Sequence, residues 1–124
     1  MSAPTLAPFI LKRPWLTRAL TPLANWYSDA AGYRKLGLRV DDLLPEENET
    51  VQLALKRLPP KEAYDRVFRL RRAVQCSVSH QLLPKDQQLK PEDDVRYLTP
   101  IIQEIEAEQK ERGDLEAMVV ARKK

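Results

Sequence analysis

Apolar residues recur along this chain in stripes that prolines interrupt, and that pattern marks out its elements. The clearest stripe is Ala63, Val67, Leu70, Val74, Val78 and Leu82. Its spacings of three and four are those of one helical face. The stripe predicts a helix from Pro60 to about Leu82, stopped by Pro84. Proline fits the first helical position, where its missing N–H would be unpaired anyway. Arg66, Arg69, Arg72 and Gln75 flank the stripe, and the arginines are expected to line a solvent face or to pair with a protein partner.

The other prolines partition the rest. Pro14 opens a short helix through about Leu20, and Thr21 is a candidate N-cap for a second from Pro22 to near Leu36, with Gly37 supplying a left-handed residue past its end. Pro45 precedes a third through Arg57, whose Glu46, Glu47 and Glu49 suit the positive end of a helix dipole. Pro91 with Glu92, Asp93 and Asp94 repeats that arrangement. Thr99-Pro100 then caps a last helix carrying Ile101, Ile102 and Ile105 and, beyond a polar turn, Leu115, Met118 and Val119, with Arg122, Lys123 and Lys124 at its end. Segments 37–44 and 85–90 read as loops. The expectation is an all-α chain of five or six short, proline-punctuated helices, elongated and thin-cored, completed by packing on partner subunits. It forms a single domain over 1–124: a basic, aromatic docking segment at 1–40, a helical centre at 41–98 and a charged C-terminal helix at 99–124.

Composition agrees. The 124 residues suit one domain, and 3 Gly against 10 Pro is the wrong currency for a sheet protein. The longer uncharged stretches, Met1–Leu11, Ala19–Ser28 and Ala73–Pro84, fall short of the roughly 20 apolar residues a bilayer-spanning helix needs. Cys76 stands alone, which excludes an internal disulfide and fits a reducing compartment.

Charge changes the picture more. Up to Val40 there are six basic residues, Lys12, Arg13, Arg18, Arg34, Lys35 and Arg39, against Asp29, so that third carries +5 of the net +3 and the remainder carries −2. Residues 1–28 hold no acid, which fits either an amphipathic mitochondrial targeting segment or a solvated basic helix. Trp15, Trp26, Tyr27 and Tyr33 fall in the same third, where aromatic side chains with polar tips serve interfaces as readily as cores.

Catalytic chemistry is sparse. His80 follows Cys76 by four residues on the predicted helix, and no other Cys or His exists to complete a metal site. The scattered Gly32, Gly37 and Gly113 make no phosphate loop. The paired acids Asp41-Asp42, Glu46-Glu47 and Asp93-Asp94 read as caps or solvated first turns; the other reading has a carboxylate such as Glu47 carrying protons against a partner. The rival function is nucleic-acid binding by a basic helical or ribosome-associated protein, through Arg66, Arg69, Arg71 and Arg72 with Lys56 and Arg57 nearby and a pI of about 9.1. Interleaved acids and a net charge of only +3 weaken it.

The run AGYRKLGLRVDDLLPEENETVQLALKRLP at Ala31–Pro59, RVFRLRRA at Arg66–Ala73, HQLLPK at His80–Lys85 and VRYLTP at Val95–Pro100 closely resemble the fourteen-kilodalton subunit family of mitochondrial ubiquinol–cytochrome c oxidoreductase, respiratory complex III, also called subunit seven in fungi. One departure is Gln88, where the family usually has tryptophan. The resemblance implies a helical, non-catalytic accessory subunit, peripheral on the matrix side of the inner membrane and binding no cofactor. It implies contact with cytochrome b, the core proteins and neighbouring small subunits, and a role in assembly and stability of the complex. The expected contacts are Trp15, Trp26, Tyr27, Tyr33, Arg34 and Lys35 toward cytochrome b and the headgroup layer, and Ile101 and Ile105 toward a core protein, with no nucleic acid bound.

Overall fold

A computed structural model of the chain describes residues 5–118; Val119, Arg122, Lys123 and Lys124 lie outside the described residues. Within them the fold is all-α, with five α-helices and no strand: α1 (Ala7–Leu11), α2 (Pro14–Ala31), α3 (Glu49–Arg57), α4 (Pro60–Val78) and α5 (Thr99–Glu116). Single 3₁₀ turns at Arg34–Leu36, Val40–Leu43 and Pro91–Asp93 punctuate the connections.

The first two predicted helices are one. Pro22 sits inside α2 rather than at its start, and Thr21 does not cap: its hydroxyl donates to the Thr17 carbonyl at 2.7 Å. A proline costs a helix its own N–H bond and crowds the carbonyl four residues back, yet the helical residues from Pro14 to Thr21 and from Leu23 to Ala31 are held by the remaining ladder, and the helix runs on to Gly32 at φ 81°. Gly37 still takes the left-handed conformation, at φ 74°, but ends the short 3₁₀ turn at Arg34–Leu36. The Thr17 hydroxyl also donates to the Ile10 carbonyl at 3.0 Å, tying α1 back onto α2.

The third helix starts later than Pro45. Asn48 accepts from the Thr50 N–H at 2.9 Å and so caps α3 at Glu49, because an Asx side chain satisfies an orphan N–H that proline cannot. Glu46 and Glu47 therefore lie in the preceding turn.

Among the described residues two small apolar clusters form the core. Val51, Ala54 and Leu58 of the α3 segment meet Leu98 and Ile105 of the α5 segment, with Ile101, Ile102 and Tyr97 packed around them. Tyr33, Leu38 and Ala73 make the second, flanked by Leu36, Val40 and Leu70. From Glu106 onward every described residue of α5 is exposed, as is the outer surface of α2, which buries no residue at all.

The α4 stripe is the main reversal. The buried residues of α4 are Arg66, Arg69 and Ala73, while Val67, Val74, Val78 and Leu82 are exposed, along with Tyr64 and Phe68. Ala63 and Leu70 alone of the predicted stripe are half-buried. The helix also stops at Val78, short of Leu82. His80 adopts a left-handed φ of 53°, so Cys76 and His80 do not share one helical face.

Gly37 is buried, and a Cβ there would collide with the Arg72 guanidinium and stand 2.9 Å from Leu83 Cδ1, whereas one at Gly32 would meet nothing within 4 Å. Both glycines have left-handed φ, which costs other residues about 1–2 kcal/mol. Gly32→Ala should lower the thermal midpoint modestly and Gly37→Ala clearly more, as followed by circular dichroism; equal effects would show that the Arg72 contact yields freely.

Candidate functional site

The polar centre of the molecule is built on the 3₁₀ turn Val40–Leu43, which turns two adjacent carboxylates in different directions. Asp41 and Asp42 are 2% and 5% exposed. The Asp41 carboxylate accepts from the N–H groups of Leu98 at 2.9 Å and Thr99 at 2.8 Å, and from the Thr99 hydroxyl at 2.7 Å. It therefore caps α5 across more than fifty residues of chain, doing for Thr99-Pro100 what Thr99 alone was expected to do.

Asp42 accepts both arms of the Arg69 guanidinium, Nε at 2.7 Å and Nη2 at 2.9 Å, in the bidentate geometry that favours arginine. It also accepts from the Arg39 N–H at 3.0 Å and from the Tyr97 hydroxyl. Arg66 completes the cluster by donating to the Asp41 carbonyl at 3.1 Å, the Tyr97 hydroxyl at 2.8 Å and Glu46 at 2.9 Å. The Arg69 guanidinium lies 5.2 Å from the centre of the Tyr97 ring. Burial alone would raise the Asp42 pKa, but hydrogen bonds from Arg69, Tyr97 and the Arg39 N–H outweigh it and hold the carboxylate below its ordinary value. Burial, followed by its bond to Asp42, pushes the Tyr97 phenol up.

A second cluster ties α2 to the body. Asp94 accepts from the Tyr33 hydroxyl at 2.6 Å, Arg34 Nε at 3.0 Å and the Val40 N–H at 2.9 Å. Arg34 reaches with Nη1 to Asp29 of α2 at 2.9 Å. Asp94 is again held below its ordinary pKa: burial opposes this, and the donors from Tyr33, Val40 and Arg34 prevail. Tyr33 is raised, first by burial and then by Asp94.

The residues expected at partner contacts thus divide. Trp15, Trp26 and Tyr27 are 65%, 66% and 71% exposed along α2, and Lys35 is exposed at its base. Tyr33 and Arg34 are buried and spent on Asp94. Ile105, at 1% exposure, belongs to the chain's own core, and Ile101 packs half-buried against it; the side chains expected to meet a core protein instead hold α5 on α3. Gln88, at the place of the family's tryptophan, donates to the Leu83 carbonyl at 2.9 Å and stays half-buried.

Arg66 and Arg69 face inward to Asp42 and Glu46, so two of the four α4 arginines on which a nucleic-acid reading rests are taken up inside the fold. The Asp41-Asp42 pair is no solvated turn, although Asp41 does cap. The sequence did carry a signal for this: Arg66, Arg69 and Ala73 repeat at three and four just as the apolar stripe does. Among the described residues no three Cys, His, Asp or Glu side chains come together as metal ligands, and no helix is long and apolar enough to cross a membrane.

Comparison with known proteins matches residues 14–113 to the family described as ubiquinol-cytochrome C reductase complex 14kD subunit. The chain is 54% identical over 122 residues to cytochrome b-c1 complex subunit 7 of Neurospora crassa, covering 98% of this chain and 99% of that protein. It is 46% identical over 114 residues to the Saccharomyces cerevisiae protein named cytochrome b-c1 complex subunit 7, mitochondrial, covering 92% and 90%. The Pongo abelii subunit 7 is 45% identical over 95 residues, 77% of this chain and 85% of its own.

Removing one partner of a buried, hydrogen-bonded ion pair strands the other, at about 3–5 kcal/mol. Arg69→Ala or Asp42→Ala should therefore abolish or nearly abolish cooperative unfolding, whereas Arg57→Ala should shift the denaturant midpoint little, because its bidentate pair with Glu108 is exposed. The reverse order would remove the network from the centre of the fold.

The pKa directions fix the pH profile. Asp42 and Asp94 are depressed from 3.8, so their stabilisation is present above the unfolded value and is lost as pH falls below about 4. Tyr33 and Tyr97 are raised from 10.0, so theirs is present below about 10 and is lost as pH rises beyond it. Thermal midpoints should form a plateau between those limits, and Asp42→Asn should flatten the acid edge. An acid edge unchanged in that variant would assign it to other carboxylates.

Proposed function

From the premise that this chain belongs to the ubiquinol–cytochrome c reductase complex 14 kDa subunit family, we propose that it acts as a non-catalytic accessory subunit that holds mitochondrial complex III together. It binds no cofactor of its own; ubiquinol oxidation belongs to the whole assembly. It sits peripherally on the matrix side of the inner membrane. The observation that carries this reading is the apolar surface the fold leaves outside: Trp15, Leu23, Trp26 and Tyr27 on α2 and Tyr64, Val67 and Phe68 on α4, on a chain whose own core is two small clusters. Exposed aromatic surface of that kind marks protein or membrane contacts.

The α2 arm, with Trp15, Trp26 and Tyr27 beside Lys12, Arg13 and Arg18 and with Lys35 at its base, meets cytochrome b and the headgroup layer. Tyr33 and Arg34 serve that contact from within, by fixing the base of the arm through Asp94 and Asp29. The exposed part of α5 beyond Ile105 faces a core protein or a neighbouring small subunit.

Native electrophoresis of mitochondrial membranes with and without this chain tests the proposal. The expected outcome is loss of the assembled oxidoreductase and of stable cytochrome b when the chain is absent. Normal assembly and turnover without it would overturn the reading.

A further inference from the structure

The exposed face of α4 is more specific than an apolar patch. Tyr64, Val67, Arg71, Val74 and Val78 follow one another at spacings of three, four, three and four, the a/d seam of a helix that packs against one other helix. All five are exposed, Tyr64 at 78% and Val78 at 73%. The seam runs about 21 Å along the helix. Phe68 flanks it, and Tyr64, Val67, Phe68 and Arg71 together line a shallow groove.

The position of Arg71 narrows what can lie there. It occupies the middle of the seam, and among the described residues it makes no ion pair, unlike Arg66 and Arg69 on the buried face. The acids of α4 lie elsewhere: Glu62 approaches Arg39 at 3.5 Å, and Asp65 is half-buried on the far side of the helix. A second copy of the chain does not fit. Because Arg71 is central between Tyr64 and Val78, pairing two such seams in either direction would set one guanidinium against the other. A lipid surface fits poorly too, since a cation in mid-stripe is costly to place against hydrocarbon.

Resting on the accessory-subunit reading, we propose that the Tyr64–Val78 seam docks one amphipathic α-helix of a neighbouring subunit, about two heptads long, with an apolar seam and an aspartate or glutamate opposite Arg71. The polar position selects the partner and sets its register, as a charged residue in an otherwise apolar helix seam does.

The test uses the full chain in mitochondria. A photo-crosslinking residue, benzoylphenylalanine, is placed at Tyr64 or Val74, and the complex is purified after irradiation. The expected result is a crosslink mapping to a helix of one other subunit that bears an acidic residue. A chain that co-purifies with the complex but crosslinks only to lipid, only to a second copy or to nothing would overturn the seam and leave the accessory role standing. A chain absent from the complex would overturn that role, and the seam with it. Arg71→Glu, at an exposed position that holds nothing inside the chain, should lower retention of the subunit in detergent-solubilised complex by about tenfold. An acid-to-lysine change at the mapped partner position should restore it. Unchanged retention in Arg71→Glu would overturn the charge pairing.

Discussion

The fold depends on one pair of neighbouring carboxylates. Asp41 receives the first N–H groups of α5, and Asp42 receives Arg69 of α4 and the Tyr97 hydroxyl. A single 3₁₀ turn thus fixes where two helices begin or lie. Taking these charges out of water is expensive, and attraction alone seldom repays it unless the remaining donors and acceptors are also satisfied. Here they are: each Asp42 oxygen has at least one strong donor, and Arg66 is divided among a carbonyl, a phenol and Glu46. What such a network supplies over an apolar contact is direction, because a guanidinium fork fits a carboxylate in few orientations.

That choice decides which side of α4 faces out. One helix cannot bury both its Arg66–Arg69–Ala73 face and its Tyr64–Val67–Val74–Val78 face against so small a body. The carboxylates of the Val40–Leu43 turn capture the arginines, and the valines are left to water. The apolar core shrinks accordingly, to the α3–α5 contact and the cluster around Tyr33. The Asp94 cluster repeats the arrangement at the base of α2. Buried Arg34 spans Asp29 and Asp94, so a helix that buries no side chain of its own is nevertheless set at a defined angle to the body.

How far the sequence foretold this depends on the range of the forces involved. Helix existence was legible from α2 to α5, because proline, acids in a first turn and the spacing of apolar residues act locally, whereas the short α1 was not foreseen. Boundaries failed where a local signal had a rival: Asn48 outcompeted Pro45 as the start of α3, and Pro22 was absorbed within α2. The inward face of α4 failed for a different reason. Periodicity shows that a face exists but not what it meets, and Arg66 and Arg69 are solvated residues until Asp42, more than twenty residues away, is brought beside them. Ile105 erred in the opposite sense, since a residue assigned to a partner was needed at home against Val51 and Ala54. Trp15, Trp26 and Tyr27 of α2 do lie exposed together, while Tyr33 and Arg34, close by in sequence, were not separable from them without knowing that Asp94 lies opposite.

The inversion of α4 and the exposure of α2 have a common physical logic. A chain that leaves apolar faces outside cannot also use those faces to define its own shape. Apolar contacts alone would let short helices slide or rotate to hide their valines and tryptophans, and helices of this length have little stability of their own to resist it. A directional polar interior resists that collapse: turning α4 to bury Val67 and Val74 would expose Arg69 but strand Asp42, a buried charge with its principal partner gone. The desolvated ions therefore keep the apolar faces outside and in a fixed mutual orientation. The thin core and the costly interior are two sides of one arrangement, in which the monomer's marginal packing is the condition for a well-defined surface.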